Sequence, residues 1–240
     1  MSFSLLSLGF MLGIRHALET DHVAAMASLV TRSGSMGDSI RQGAVWGAGH
    51  TLTLFVFGSV VLLLDTVMPE KLAQGLEFMV GLMLVGLGVD VLRRLQRDRI
   101  HIHFHHHADG HRHFHTHSHA GEHGHAVVHH HRHQGNRGRF PLRALFVGIM
   151  HGMAGSSILI LLTLQSVHSP LTGMVYILIF GIGSIAGMVI LSAIITVPLR
   201  YSITGLSWVH NGLQALVGVA TLCVGGIMLY DIGITGGLLV

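Results

Sequence analysis

Six stretches of largely apolar residues, at 3–31, 41–64, 74–95, 141–166, 171–197 and 208–230, run through this chain of 240 residues. About 20 such residues wound as an α-helix match the hydrocarbon thickness of a bilayer. Apolar residues make up 50% of the sequence and charged ones only 10%, against about 25% charged in a soluble domain. The expected fold class is therefore an all-α membrane protein with six transmembrane helices. The first stretch begins uncharged and has no small-residue cleavage pattern, so it reads as a retained span and not a signal peptide. The 32 glycines fit close helix packing in lipid. A single cysteine, Cys223, excludes an intramolecular disulfide and a thiolate-rich metal site.

Orientation follows from the basic residues. Arg32 and Arg41 flank the first loop, nine arginines from Arg93 to Arg143 crowd the third, and Arg200 marks the fifth. The second loop carries only Lys71 and the fourth none. By the positive-inside rule, loops one, three and five are cytoplasmic and both termini lie outside. The formal charge of +3 is thus a topology signal beside the spans, and nucleic acid is not an expected partner. Asp90, one turn from Arg93 and Arg94, reads as their solvated partner.

The chain also contains itself twice. Gly13-Ile-Arg-His16-Ala aligns with Gly148-Ile-Met-His151-Gly, Trp46-Gly-Ala-Gly49 with Phe180-Gly-Ile-Gly183, and Met79-Val-Gly81 with Leu216-Val-Gly218. Three matches in consistent order are what a duplicated three-helix unit leaves. With three spans in each half the second copy is inverted, the plan by which many transporters form a midplane site. The expected organisation is a first three-helix repeat at 1–95, a connecting loop at 96–140 and a second repeat at 141–240. Ligand-type residues are unevenly shared, since Asp21 and His22 align with Ser156 and Ser157, and His50 with Ser184.

Within the first span, His16-Ala-Leu-Glu19-Thr-Asp21-His22 puts two imidazoles and two carboxylates into seven residues. An Asp at mid-helix costs about 2.5–3.5 kcal/mol on insertion scales, so such groups are retained for function. The set suits a divalent transition metal. On a regular helix, His16, Glu19 and His22 share an arc about 120° wide, while Asp21 projects about 100° from His22. His16 and His22 would then be about 9 Å apart along the axis. One ion is reached only if the helix is broken near Leu18 to Asp21, or if some of these groups support the true ligands. Arg15, four residues before Glu19, is expected to pair with it. His50, in Gly49-His50-Thr51, and His151, the repeat image of His16, complete the candidate metal residues: His16, Glu19, Asp21, His22, His50 and His151. His168 and His210 read as surface residues at loop edges.

Sixteen of the 22 histidines fall between His101 and His133. That segment reads as a core-free, metal-binding cytoplasmic loop, disordered without metal and able to hold several divalent ions. Its interruption by Arg, Phe and Asp109 distinguishes it from an expression tag.

The His16-x4-Asp21-His22 motif resembles the signature of the nickel/cobalt transporter family and of related urease accessory membrane proteins. Gly49-His50-Thr51 is similar to a second element of that family. The resemblance implies that His16, Asp21, His22 and His50 select and move Ni²⁺ or Co²⁺. Family members commonly have eight spans with the motif in the second, whereas six are counted here with the motif in the first.

The expected function is a secondary transporter of the cell membrane for Ni²⁺, with Co²⁺ as a second substrate, running as uptake by alternating access. It needs no resident cofactor, and no Walker motif is present. Expected partners are the ion, the lipid bilayer, and a cytoplasmic nickel chaperone or urease-maturation protein. Two alternatives stand beside it: a nickel/cobalt efflux transporter, and a membrane di-iron enzyme of the desaturase type. Low-complexity loop histidines oppose the latter. The charge distribution opposes a six-span zinc carrier of the cation-diffusion type, which needs both termini inside.

Overall fold

The computed structural model describes residues 3–64, 69–97, 100–106, 112–118, 140–154, 169–205 and 207–239. Its helices are α1 (Phe3–His16), α2 (Thr20–Val30), α3 (Met36–Leu64), α4 (Glu70–Arg97), α5 (Leu142–Ala154), α6 (Pro170–Gly205) and α7 (Ser207–Tyr230), with a π-helical turn at Asp231–Thr235. Among the described residues, four helical stretches are long and apolar enough to cross a membrane: Met36–Leu64, Glu70–Arg97, Pro170–Ser202 and Trp208–Thr235. The first expected span is divided between α1 and α2. The fourth is seen as α5, with 155–166 outside the described residues. The bundle turns large apolar side chains outward, among them Leu63, Leu171, Ile194 and Leu216, as a lipid-facing surface requires.

Two short stretches of the connecting segment are described. Strands β1 (Ile100–His106) and β2 (Arg112–Ser118) pair as an antiparallel ribbon. The physical reason is visible in Ile100-His-Ile-His-Phe104, a period-two alternation of β-favouring residues. Residues 119–139 of the loop lie outside the described residues.

Small residues decide how the helices meet. α3 runs antiparallel to α6, with Gly43 against Met188 and Ser192, Gly47 against Ile185, and Gly181 against Thr51. α4 runs antiparallel to α7, with Gly81 against Gly225 and Gly88 against Gly218. In contrast, α1 runs alongside α6 in the same direction, and α5 alongside α3. At these parallel crossings a Cβ on Gly13 would overlap the Phe180 carbonyl oxygen, and one on Gly148 the Trp46 carbonyl oxygen. These are the residues that the internal alignment pairs, Gly13 with Gly148 and Trp46 with Phe180. The two crossings are therefore copies of each other in contact as well as in sequence.

Polar groups also tie the bundle together. Ser28 Oγ lies 2.9 Å from Thr221 Oγ1, and Thr221 also bonds the Ala24 carbonyl, joining α2 to α7. At the end of the bundle, Asp90 accepts from Arg32 at 2.6 Å and from Arg143 at 3.2 Å, and pairs with Arg94 at 3.3 Å. Arg94 also donates to Thr31 Oγ1 at 3.0 Å. Of the two partners expected for Asp90 only Arg94 is engaged. The others, Arg32 from the turn after α2 and Arg143 from the first turn of α5, are distant in sequence and draw the ends of α2, α4 and α5 together.

Gly148→Ala should destabilise the protein by about 1–3 kcal/mol, because the new methyl drives α5 off α3. Gly86→Ala is the control, since no atom stands within 4 Å of its added Cβ and alanine favours helix. Denaturant unfolding in detergent should show a lowered midpoint for the first and an unchanged or raised one for the second.

Candidate metal centre

The first apolar stretch breaks in the middle of its polar motif. After His16 the backbone tightens, with Leu18 N–H bonded to the Arg15 carbonyl and Glu19 N–H to the His16 carbonyl, three residues back. Glu19 is extended (φ −64°, ψ 150°), and α2 begins at Thr20. The break removes the geometric obstacle of a continuous helix. His16 closes α1, His22 sits in the first turn of α2, and their ring centroids are 4.4 Å apart. It also cancels the expected Arg15–Glu19 pair: Arg15 is exposed, and Glu19 Oε2 reaches His16 Nδ1 at 3.0 Å instead.

Two further histidines complete the cluster. His50, from the Gly-rich stretch of α3, lies 5.2 Å from His16 and, edge to face, 5.3 Å from His22, centroid to centroid. His151, near the end of α5, lies 4.4 Å from His22. All four imidazoles are at most 5% exposed. Gly152 brings α5 onto the His50 backbone, so the close approach of helices is what gathers the rings. Asp21, 24% exposed, joins the halves: Oδ1 is 3.0 Å from His22 Nδ1 and Oδ2 is 2.9 Å from His151 Nε2. The His22 backbone N–H also donates to Asp21 Oδ1 at 2.9 Å.

These carboxylates determine the tautomers. An ionised carboxylate only accepts, so the proton sits on His22 Nδ1, His151 Nε2 and His16 Nδ1. The opposite nitrogens then carry lone pairs. Those nitrogens, His16 Nε2, His22 Nε2 and His151 Nδ1, are buried with no hydrogen-bond partner among the described residues, as are both ring nitrogens of His50. A buried polar atom without a partner costs about 1–3 kcal/mol. Donor atoms of His16, His22 and His50 lie within 4.8 Å of one another, as do those of Asp21, His22 and His151. Neutral imidazoles backed by carboxylates are a donor set for nickel, cobalt, copper or zinc.

Of the six residues picked from sequence, five meet in this cluster. Glu19, 56% exposed, touches it only through His16. His210 is not a bare surface residue, since its ring bonds Ser202 Oγ at 3.1 Å and Gln214 Nε2 at 2.8 Å. Sequence reasoning passed over the walls. The Trp46 ring lies 5.5 Å from His22 and 5.6 Å from His151, and Phe180 lies 5.4 Å from His16. Their signal was in the repeat alignment, where the two aromatics occupy equivalent positions before Gly-x-Gly.

The chain is 34% identical over 236 residues to the urease accessory protein UreH of Bacillus sp. (strain TB-90), covering 98% of this chain and 94% of that protein. No family model matches, and no solved structure matches.

Asp21→Asn should weaken Ni²⁺ binding by about 10–100-fold, the range for losing a partner that orients a ligating histidine. An amide cannot accept from both rings through two equivalent oxygens. Glu19→Gln, at an exposed position supporting one ring, should cost less. Titration calorimetry on detergent-solubilised protein gives both values, and unchanged affinity for Asp21→Asn would remove that residue from the centre.

Proposed function

Because this chain belongs to the family of urease accessory membrane proteins related to the nickel/cobalt transporters, we propose that it is a secondary transporter carrying Ni²⁺, and also Co²⁺, into the cell. It is a membrane protein and not an enzyme. The observation that carries the reading is the set of buried imidazoles with unpartnered lone pairs at the break between α1 and α2. Broken helices are how transporters line a midplane cavity without stranding backbone groups in lipid. The ion sheds water into His16, His22 and His50, with His151 as the contribution of the second half. Asp21 holds His22 and His151 in their ligating tautomers and offsets part of the cation's charge.

The machine around the site is two inverted three-helix halves, 1–95 and 141–240, that rock against each other. Three observations support this: the matched crossings at Gly13 and Gly148, the antiparallel run of α3 against α6 and of α4 against α7, and the like direction of α1 with α6 and α3 with α5. The Arg32–Asp90–Arg143 cluster gathers residues that flank loops one and three, which supports placing both loops on the cytoplasmic side. Inside-negative potential contributes about 2.3 kcal/mol per charge at 100 mV. A divalent ion gains twice that, so uptake runs without ATP. Selection rests on coordination geometry, since raw affinity at nitrogen donors favours copper. Nickel delivered this way serves urease maturation, through a cytoplasmic nickel chaperone or a urease-maturation protein that receives it.

Flux of ⁶³Ni into proteoliposomes held at an inside-negative potential tests the assignment. Wild-type protein should accumulate label, and His22→Ala should fall to the rate of protein-free liposomes. Deletion of 101–133 should leave transport running, because the intramembrane site is untouched. Wild-type flux in His22→Ala would refute the site.

A further inference from the structure

One hydroxyl of α6 stands apart from the others. Ser184 is fully buried, and its Oγ has no hydrogen-bond partner among the described residues. The other buried hydroxyls there are all bonded. Ser28 and Thr221 face each other, and the rest, Ser192, Thr196 and Ser202 among them, return to a carbonyl three or four residues back. That return is open to a helical serine in general. Ser184 does not make it to Phe180, whose carbonyl oxygen lies against Gly13. Leaving a buried hydroxyl unbonded is costly, so the exception calls for a cause.

The repeat supplies the location. Two ring contacts at the centre are images of each other: Phe180 lies 5.4 Å from His16, and its counterpart Trp46 lies 5.6 Å from His151, the counterpart of His16. The same operation carries His50 onto Ser184. His50 stands 5.2 Å from His16, which puts Ser184 beside His151. There the ring nitrogen that Asp21 does not hold, His151 Nδ1, is buried and unpartnered as well. Two unbonded polar atoms therefore share the second half's side of the centre, where the first half presents an imidazole.

Serine reaches less far than histidine. From the position that mirrors His50, a small bridging molecule is needed to join the hydroxyl to an ion held by the opposite rings. We propose that Ser184 is a positioning residue for a water molecule that stays on the cation, so that the centre takes a partly hydrated ion. The inference rests on the metal-site reading above. A cation-bound water is a strong donor, and a serine oxygen can accept from it while its own proton rotates to another acceptor. Such a bridge is nearly as favourable as a direct bond. The consequence is selectivity. Four imidazoles already complete the four-coordinate shell that zinc prefers. An added oxygen serves an ion that takes further ligands, and tetragonal sets of nitrogen and oxygen donors suit Ni²⁺. Ser184 is then a residue through which coordination geometry acts against zinc.

Ser184→Ala removes the hydroxyl without adding bulk. Ser192→Ala, which deletes a bonded buried hydroxyl from the same helix, is the structural control. With full-length protein in proteoliposomes held inside-negative, KM for ⁶³Ni uptake should rise about tenfold in Ser184→Ala, equivalent to about 1.4 kcal/mol. The inhibition constant of Zn²⁺ against that uptake should not change. Ser192→Ala should keep the wild-type ratio of the two constants. A second readout needs no transport: the visible absorption of bound Co²⁺, taken as the difference from His22→Ala, which retains the histidines of the connecting segment. It should intensify in Ser184→Ala as the ion moves towards a four-coordinate shell. Coincident Co²⁺ spectra in wild type and Ser184→Ala, or nickel and zinc constants that move together, would overturn the water site. A changed Co²⁺ spectrum without wild-type flux would refute transport and leave Ser184 in this role.

Discussion

One carboxylate shared by two imidazoles, from α2 and α5, is the interaction on which the rest of the centre depends. Asp21 holds His22 through Nδ1 and His151 through Nε2, at 3.0 and 2.9 Å. In water such bonds contribute little, because solvent supplies equivalent ones. Where both rings are buried between apolar helices solvent competes little, and the carboxylate both satisfies its own oxygens and sets which nitrogen of each ring faces inward. The lone pairs left over are then a consequence of where Asp21 sits. The centre could not be formed by either half alone, since residues 16–50 supply three rings and the carboxylate while His151 arrives from beyond the connecting segment.

Bringing His16, His50 and His151 each within 4.4 to 5.3 Å of His22, centroid to centroid, demands helix axes closer than ordinary side chains permit. Glycine meets that demand at the crossings where one backbone rests on another. Gly13 sits on the Phe180 carbonyl, Gly148 on that of Trp46, and Gly152 against the His50 backbone. With lipid as apolar as the helix surface, association draws on this close packing and on interhelical hydrogen bonds such as Ser28–Thr221. Trp46 and Phe180 each do two things: their carbonyls receive the glycines, and their rings wall the imidazoles.

How much of this was legible in the sequence depended on whether the signal was local. Hydropathy located the long helices, and the cost of ionisable groups in lipid pointed to the residues that meet. The conflict between helix geometry and the His16-x4-Asp21-His22 spacing pointed to a break, which falls at Ala17 to Glu19. The Arg15–Glu19 pair failed for the same reason, because an i,i+4 rule presumes the helix that the break interrupts. Arg32 and Arg143 could not be assigned to Asp90 from neighbours along the chain, since they are 58 and 53 residues away. The ribbon was hidden by composition: a segment so rich in histidine reads as low complexity, and the alternation of Ile100, Ile102 and Phe104 with histidine goes unnoticed.

The asymmetry of ligands between two similar halves has a mechanical consequence on the transporter reading. His50 aligns with Ser184, which is fully buried and whose hydroxyl has no partner among the described residues. A symmetric set of ligands would hold an ion equally from both halves and resist their separation. Here one half grips with three imidazoles, and the other reaches the site through His151 and its bond to Asp21. Within the site, rocking the halves then strains that bond. Its rupture would free one oxygen of Asp21 and leave His151 unoriented, while His22 keeps its own bond to the other oxygen. The ion would stay with the first half as the second withdraws, so that a change of access need not release the cargo. A site divided evenly would have to give up half its ligands at that same step.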